Sequence, residues 1–232
     1  MATAFQRKTI IQTLTVLALL VAPFAASSAD RVVTKGRHSD QELYRIASCA
    51  APPGGACQTD IYKWSAAKRT SITIGIVSVD ANYPARAAEA ARAAVQNAVA
   101  QINGAGAGVR LKLLASGKPD IEVRLTTETI RSDRQAENAA DLLRSMGMES
   151  FMQWTYDGRT KALTKARLAL SDELEPREMA SVVLKQTLVG LGLRPNLQNR
   201  FYQNRSIFSA RGRRVKEIEG QDATVLRMHY AP

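Results

Sequence analysis

Ser181 and Lys185 stand four residues apart, close enough on a helix for the amine to draw a proton from the hydroxyl and make the serine a nucleophile. Just upstream, Asp172, Glu173, Glu175 and Glu178 form the densest carboxylate cluster of the chain, from which an acid and a base for metal-independent hydrolysis could be drawn. Neither group comes with an oxyanion hole, and a serine and a lysine at this spacing meet by chance on many helices. Metal-binding residues are scarcer. His38 and His229 are the only histidines and lie far apart, and Cys49 and Cys57 are the only cysteines, too few to compose a zinc cluster by themselves. The cysteines flank Ala50-Ala51-Pro52-Pro53-Gly54-Gly55-Ala56, a segment able to fold back, and predict one disulfide that staples the loop by about 2–3 kcal/mol. The glycine-rich run Gly104-Ala105-Gly106-Ala107-Gly108 leaves a helical pattern and enters a strand pattern. A phosphate cradle needs the opposite order, so this run reads as a connector.

A disulfide requires an oxidising compartment, and the first residues supply the route to one. Arg7 and Lys8 precede a mostly apolar stretch from Ile10 to Ala22, and Ser27-Ser28-Ala29 offers small residues for cleavage before Asp30. Residues 1–29 are therefore expected to be a signal peptide and the mature chain to be periplasmic or secreted. No later stretch approaches the roughly 20 apolar residues of a membrane span, so none is expected after cleavage. The chain carries 32 Lys and Arg against 21 Asp and Glu, and loses only Arg7 and Lys8 with the leader, which leaves a net charge of +9. Such a charge suits an anionic surface as partner. No helix-turn-helix, zinc-finger or aromatic-basic pattern accompanies it, so no specific nucleic-acid binding is expected. The one local basic cluster is Arg211, Arg213, Arg214 and Lys216.

These side chains must be positioned by one domain of ordinary size. Residues 30–69 read as a loose N-terminal segment around the disulfide loop, and the patterned domain as 70–232. Ile72, Ile74 and Ile76 alternate with small or polar residues as in a half-buried strand, and Ala88, Ala91, Val95, Ala98, Val99 and Ile102 then recur at helical steps between Pro84 and Asn103. Two more alternating runs follow, Val109 to Leu113 and Ile121 to Leu125. Ser132 or Asp133 can cap a helix carrying Leu142, Leu143 and Met146. Phe151–Tyr156 and Ala162–Leu170 flank Asp157-Gly158 and predict a hairpin, with Lys165 and Arg167 turned away from Ala166, Leu168 and Leu170. Pro176 can open a helix whose Met179–Leu191 portion is apolar almost all round and must be buried.

A buried helix ending in Leu191-Gly192-Leu193, preceded by strand, helix and further strands, resembles the catalytic core of the metzincin metalloproteases, whose motif is H-E-x-x-H-x-x-G-x-x-H. With the motif glycine on Gly192, Lys185 and Val189 fall on the helical histidine positions, Gln186 on the glutamate and Pro195 on the third histidine. An ammonium, an isopropyl group and a pyrrolidine ring cannot ligate zinc, and a neutral amide cannot act as the base. Ser206-Ile207-Phe208 is similar to the Met-turn of these enzymes, with Phe208 where the methionine would lie. Asp222, Val225, Leu226 and Tyr230 are similar to their closing helix. The combination also resembles an exported bacterial family known as domain of unknown function 2927.

The resemblance implies an α+β fold of metzincin-like, zincin-type architecture: a mixed sheet with a buried helix at the former active-site position. It implies no catalytic residue, no metal and no cofactor. The leading expectation is a pseudoprotease, a non-catalytic binding module for a peptide or protein of the cell envelope. Affinity would come from strand addition at Val109–Leu113 or Ile121–Leu125. Lys185, Gln186, Arg194 and Asn196 would line the emptied cleft. Two alternatives remain open: a metal-independent hydrolase using the same cleft, and an envelope assembly or structural factor making contact through Arg211–Lys216.

Overall fold

The computed structural model describes residues 31–127 and 149–231. The leader stretch and the helix expected after Ser132 lie outside them. Among the described residues twelve elements follow one another: β1 (Val32–Val33), α1 (Asp40–Cys49), β2 (Lys63–Trp64), β3 (Ile72–Val79), α2 (Ala85–Gly104), β4 (Leu111–Leu113), β5 (Ile121–Thr126), β6 (Ser150–Tyr156), β7 (Ala162–Ser171), α3 (Pro176–Gly190), β8 (Leu197–Gln198) and α4 (Gly220–His229). The fold is mixed α/β with a mostly parallel sheet. Among the described residues no helix is long and apolar enough to cross a membrane.

β3 pairs in parallel with β4 on one side and β5 on the other, and β5 pairs in parallel with β7. The hairpin forms as the alternation predicts, with β6 antiparallel to β7 across a turn pinned by Asp157, whose carboxylate accepts from the Arg159 and Thr160 amides. β2 pairs with the first residues of β7, on the edge that β5 takes further along. β5 has a neighbour on each side, β3 and β7, and its Ile121, Val123 and Leu125 are wholly buried in the core. This corrects the expectation that Ile121–Leu125 offers an edge. β4 does lie at the edge but begins at Leu111, since Val109 is taken up in the turn from α2.

The helices cover one sheet face. α2 packs on β3 and β4, α3 packs on β6 and β7, and the two helices pack on each other. Their alanines allow this close approach: Ala91, Ala94 and Ala98 of α2 are almost fully buried. Burying a Val or Leu side chain contributes roughly 1.5–3 kcal/mol, so Val183, Leu184 and Leu188 alone anchor α3 firmly.

The N-terminal segment, read as loose, is part of this core. Ser39 and Glu42 form a reciprocal capping box that starts α1. Leu43, Ile46 and Ala47 then bury against α4, and Trp64 enters the main core. The disulfide Cys49–Cys57 closes the loop behind α1, with 5.1 Å between the Cα atoms. The glycine run behaves as a connector. Gly106 has φ +68°, and the Gly108 amide donates to the Tyr230 carbonyl.

Candidate functional site

α3 stops at Gly190 because Gly192 turns the chain at φ +89° and Pro195 follows shortly. Its last carbonyls are satisfied by side chains from distant elements. The Trp64 indole N–H donates to Gly190 O at 2.9 Å. The Tyr230 hydroxyl donates to Leu191 O at 2.8 Å and accepts from the Trp64 amide at 3.1 Å. His229 Nε2 also reaches Leu191 O, at 3.0 Å. Burial drives the His229 pKa down to about 3, so at neutral pH this ring is an uncharged donor to that carbonyl.

The four positions singled out in the sequence fare differently. Lys185 sends its ammonium to Ser209 O and Gly212 O, both at 3.0 Å, and so ties α3 to the chain beyond the Ser206-Ile207-Phe208 turn. Burial first, and then Arg213, lower its pKa to about 8 against the opposing pull of Asp222. Gln186 donates instead to the Ser150 hydroxyl on β6 at 3.1 Å. Val189 is half-buried against the core, and Pro195 is half-buried in the loop that follows. Of the remaining candidates, Arg194 lies over the Trp154 ring at 6.0 Å and lines an open groove, whereas Asn196 is buried.

The Ser206-Ile207-Phe208 turn is buried throughout and built around Asp222 of α4. The Asp222 carboxylate accepts from Ser206 Oγ at 2.6 Å and from the Ile207 amide at 2.7 Å. Burial raises its pKa to about 6 even though both hydrogen bonds pull the other way. Phe208 O and Ala210 N then clamp Leu197 on its two sides. The turn, the end of α3 and α4 therefore form one braced unit.

Ser181 and Lys185 do not meet as nucleophile and base. Ser181 is 1% exposed and its hydroxyl has no hydrogen-bond partner among the described residues, while the lysine donates to two carbonyls. The upstream carboxylates are also dispersed: Glu175 pairs with Arg177, and Glu178 with Arg213, which also pairs with Glu149. That takes Arg213 out of the basic cluster as a free charge. Among the described residues no three His, Cys, Asp or Glu side chains gather in a way that could hold a metal ion.

Two recesses escaped the sequence reading. One, of about 720 Å³, lies between the disulfide loop and β6, where Tyr62 packs between Trp154 and Tyr156 with ring centroids 4.6 Å away in each case. The i, i+2 spacing of Trp154 and Tyr156 was the available signal. The other, of about 390 Å³, runs along β3 where β4 has ended. Val77, Val79 and Leu113 are 36%, 41% and 50% exposed there, unusual for aliphatic residues in strands. Ile72 N bonds to Arg110 O and Ile74 O to Leu114 N, which are the last main-chain bonds to the β4 side, and the register of β3 with β5 then shifts between Ile76 and Ser78 beside this recess. Among the described residues no strand pairs with β3 at that point. The chain matches no known protein-family model, and comparison with curated proteins finds no similar sequence.

Proposed function

We propose that the protein is an exported, non-catalytic domain of metzincin-like ancestry that binds an extended peptide of the cell envelope by strand addition. The observation that carries this reading is the edge of β3. β4 leaves it after Ile74, and among the described residues the next ones pair with β5 alone and border a groove lined by Val77, Val79, Val95 and Leu113 together with Arg92 and Gln96. An extended segment entering there would take main-chain hydrogen bonds from Ile76 and lay alternate side chains against Val77, Val79 and Leu113, with Val95 and Arg92 of α2 behind them. The former catalytic position supports a binding role more than a chemical one. Its lysine is held by carbonyls and its nearby serine is buried, so neither offers a reacting group.

Export is supported by the leader-like N-terminus and by the disulfide. The metzincin-like ancestry is supported by the buried α3, the glycine turn after it and the Asp222-braced Ser206-Ile207-Phe208 turn.

The test is selection from a displayed random-peptide library, followed by affinity measurement on the double variant Val77→Asp, Val79→Asp. Loss of apolar burial at the groove should weaken the selected peptides about tenfold or more. Peptides that bind both proteins equally, or that are cleaved by the wild type, would refute the proposal.

A further inference from the structure

The sheet has a second face, turned away from α2 and α3. Register places Glu122 of β5 directly beside Arg167 of β7, with Arg124 two residues along β5 and Lys165 two residues back along β7, all on that face. The Glu122 carboxylate is 12% exposed and gathers all three cations. Its Oε1 lies 2.7 Å from Lys165 Nζ, and its Oε2 lies 3.3 Å from Arg167 Nε and 3.6 Å from an Arg124 Nη. Lys165 is further fixed by donating to Pro119 O at 2.9 Å. Burial works to raise the Glu122 pKa, but the Lys165 hydrogen bond and the charges of Lys165, Arg124 and Arg167 outweigh it, so the carboxylate stays ionised.

One carboxylate cannot neutralise three cations. No other described carboxylate forms an ion pair with any of them, so among the described residues the cluster holds three cations on one carboxylate. Arg124 and Arg167 are 46% and 48% exposed at the side chain, and each guanidinium carries more N–H donors than its approach to Glu122 uses. Holding two guanidiniums on one oxygen is unfavourable unless something offsets their repulsion. It also fixes them in advance for a ligand with several acceptor oxygens. Gly75 stands opposite Glu122 on the β3 side, where the Leu114 main chain packs over it and borders the cluster.

We propose that Arg124, Arg167 and Lys165, organised by Glu122, form a binding site for a phosphate-class dianion on the open sheet face. Charge and acceptor number both match: three cations on one carboxylate meet a doubly charged tetrahedral group able to accept from both guanidinium forks. The site is separate from the β3 groove and does not depend on it.

The experiment follows the arginine Nε–Hε resonances by NMR during titration with inorganic phosphate at constant ionic strength. In a parallel arm, the protein is pelleted with phosphatidylcholine vesicles with and without phosphatidic acid. Saturable shifts at Arg124 and Arg167 are expected with phosphate and not with chloride. Arg124→Gln and Arg167→Gln should each weaken binding about tenfold or more. Arg167→Lys separates a fork from simple charge attraction, since it keeps the charge and should still lose most of the affinity. Pelleting that depends on phosphatidic acid and on both arginines would assign the phosphate to a lipid headgroup. Binding of free phosphate alone would assign it to a soluble phosphoester. No saturable shift with phosphate and no pelleting that depends on phosphatidic acid, or phosphate affinity left unchanged in a folded Arg124→Gln, Arg167→Gln double variant when followed through its backbone amides, would overturn the proposal.

Discussion

Gly192→Ala is expected to destabilise the protein by about 4 kcal/mol or more, enough to unfold many domains of this size. A Cβ at this position would overlap the Tyr62 carbonyl oxygen and stand 2.9 Å from its carbon and 3.3 Å from His229 Nε2. The backbone angle of +89° adds strain that only glycine avoids. Relief would require separating the chain at Tyr62 from the end of α3, which would also disturb the Leu191 carbonyl shared by Tyr230 and His229. Gly190→Ala is the informative control. Its Cβ would meet the end of the unbranched Met152 side chain, its methyl at 3.1 Å, and Ala166 Cβ at 3.5 Å, so about 1–2 kcal/mol is expected. Urea unfolding of both variants checks this. A Gly192→Ala protein as stable as the wild type would mean that the braced end of α3 is wrongly drawn.

The second large effect concerns pH. The Asp222 pKa is raised from 3.8 to about 6 in the folded protein. A group shifted upward stabilises the fold most when protonated in both states, below about pH 4, and that contribution is lost as pH rises through about 6. The shift corresponds to about 3 kcal/mol at most between pH 4 and pH 7. Glu219 pushes the pKa further up and Lys185 pulls it down. Asp120 and Glu122 have lowered pKa values and work in the opposite sense, losing their contribution as pH falls. The comparison must therefore be made against Asp222→Asn. That variant keeps an acceptor for the Ile207 amide and removes the titration, so stability should fall less from pH 4 to pH 7 than in the wild type. Parallel profiles for the two proteins would show that Asp222 titrates normally.

Much of the scaffold could be read from periodicity. Ile72/Ile74, Ile121/Val123/Leu125 and Ala166/Leu168/Leu170 alternate, and the strands they predict form. The apolar run from Met179 marked α3 as buried, and Asp157-Gly158 marked the hairpin. Strand order was not legible, because alternation records burial and says nothing about which strand lies beside which. That is why Ile121–Leu125 passed for an edge. α1 did carry a signal, Ser39-Asp40-Gln41-Glu42, a capping-box pattern that proline and glycine around the disulfide obscured.

The site was less legible than the fold. Spacing put Ser181 and Lys185 on one stretch of helix, but which way each pointed depended on the chain near Ser209, far away in sequence. The basic character of the chain was evident, yet its densest organised point is not Arg211–Lys216. It is Arg124, Lys165 and Arg167, which cluster only after two strands pair in register.

Hydrogen exchange of the protein with a library-selected peptide, resolved to single amides, tests the binding account most directly. The open β3 edge predicts slowed exchange at Ile76 and its neighbours through Val79, with the Ser206-Ile207-Phe208 turn unchanged. Protection confined to the Lys185–Val189 stretch of α3 or to Trp154 and Tyr156, with β3 unaffected, would contradict it.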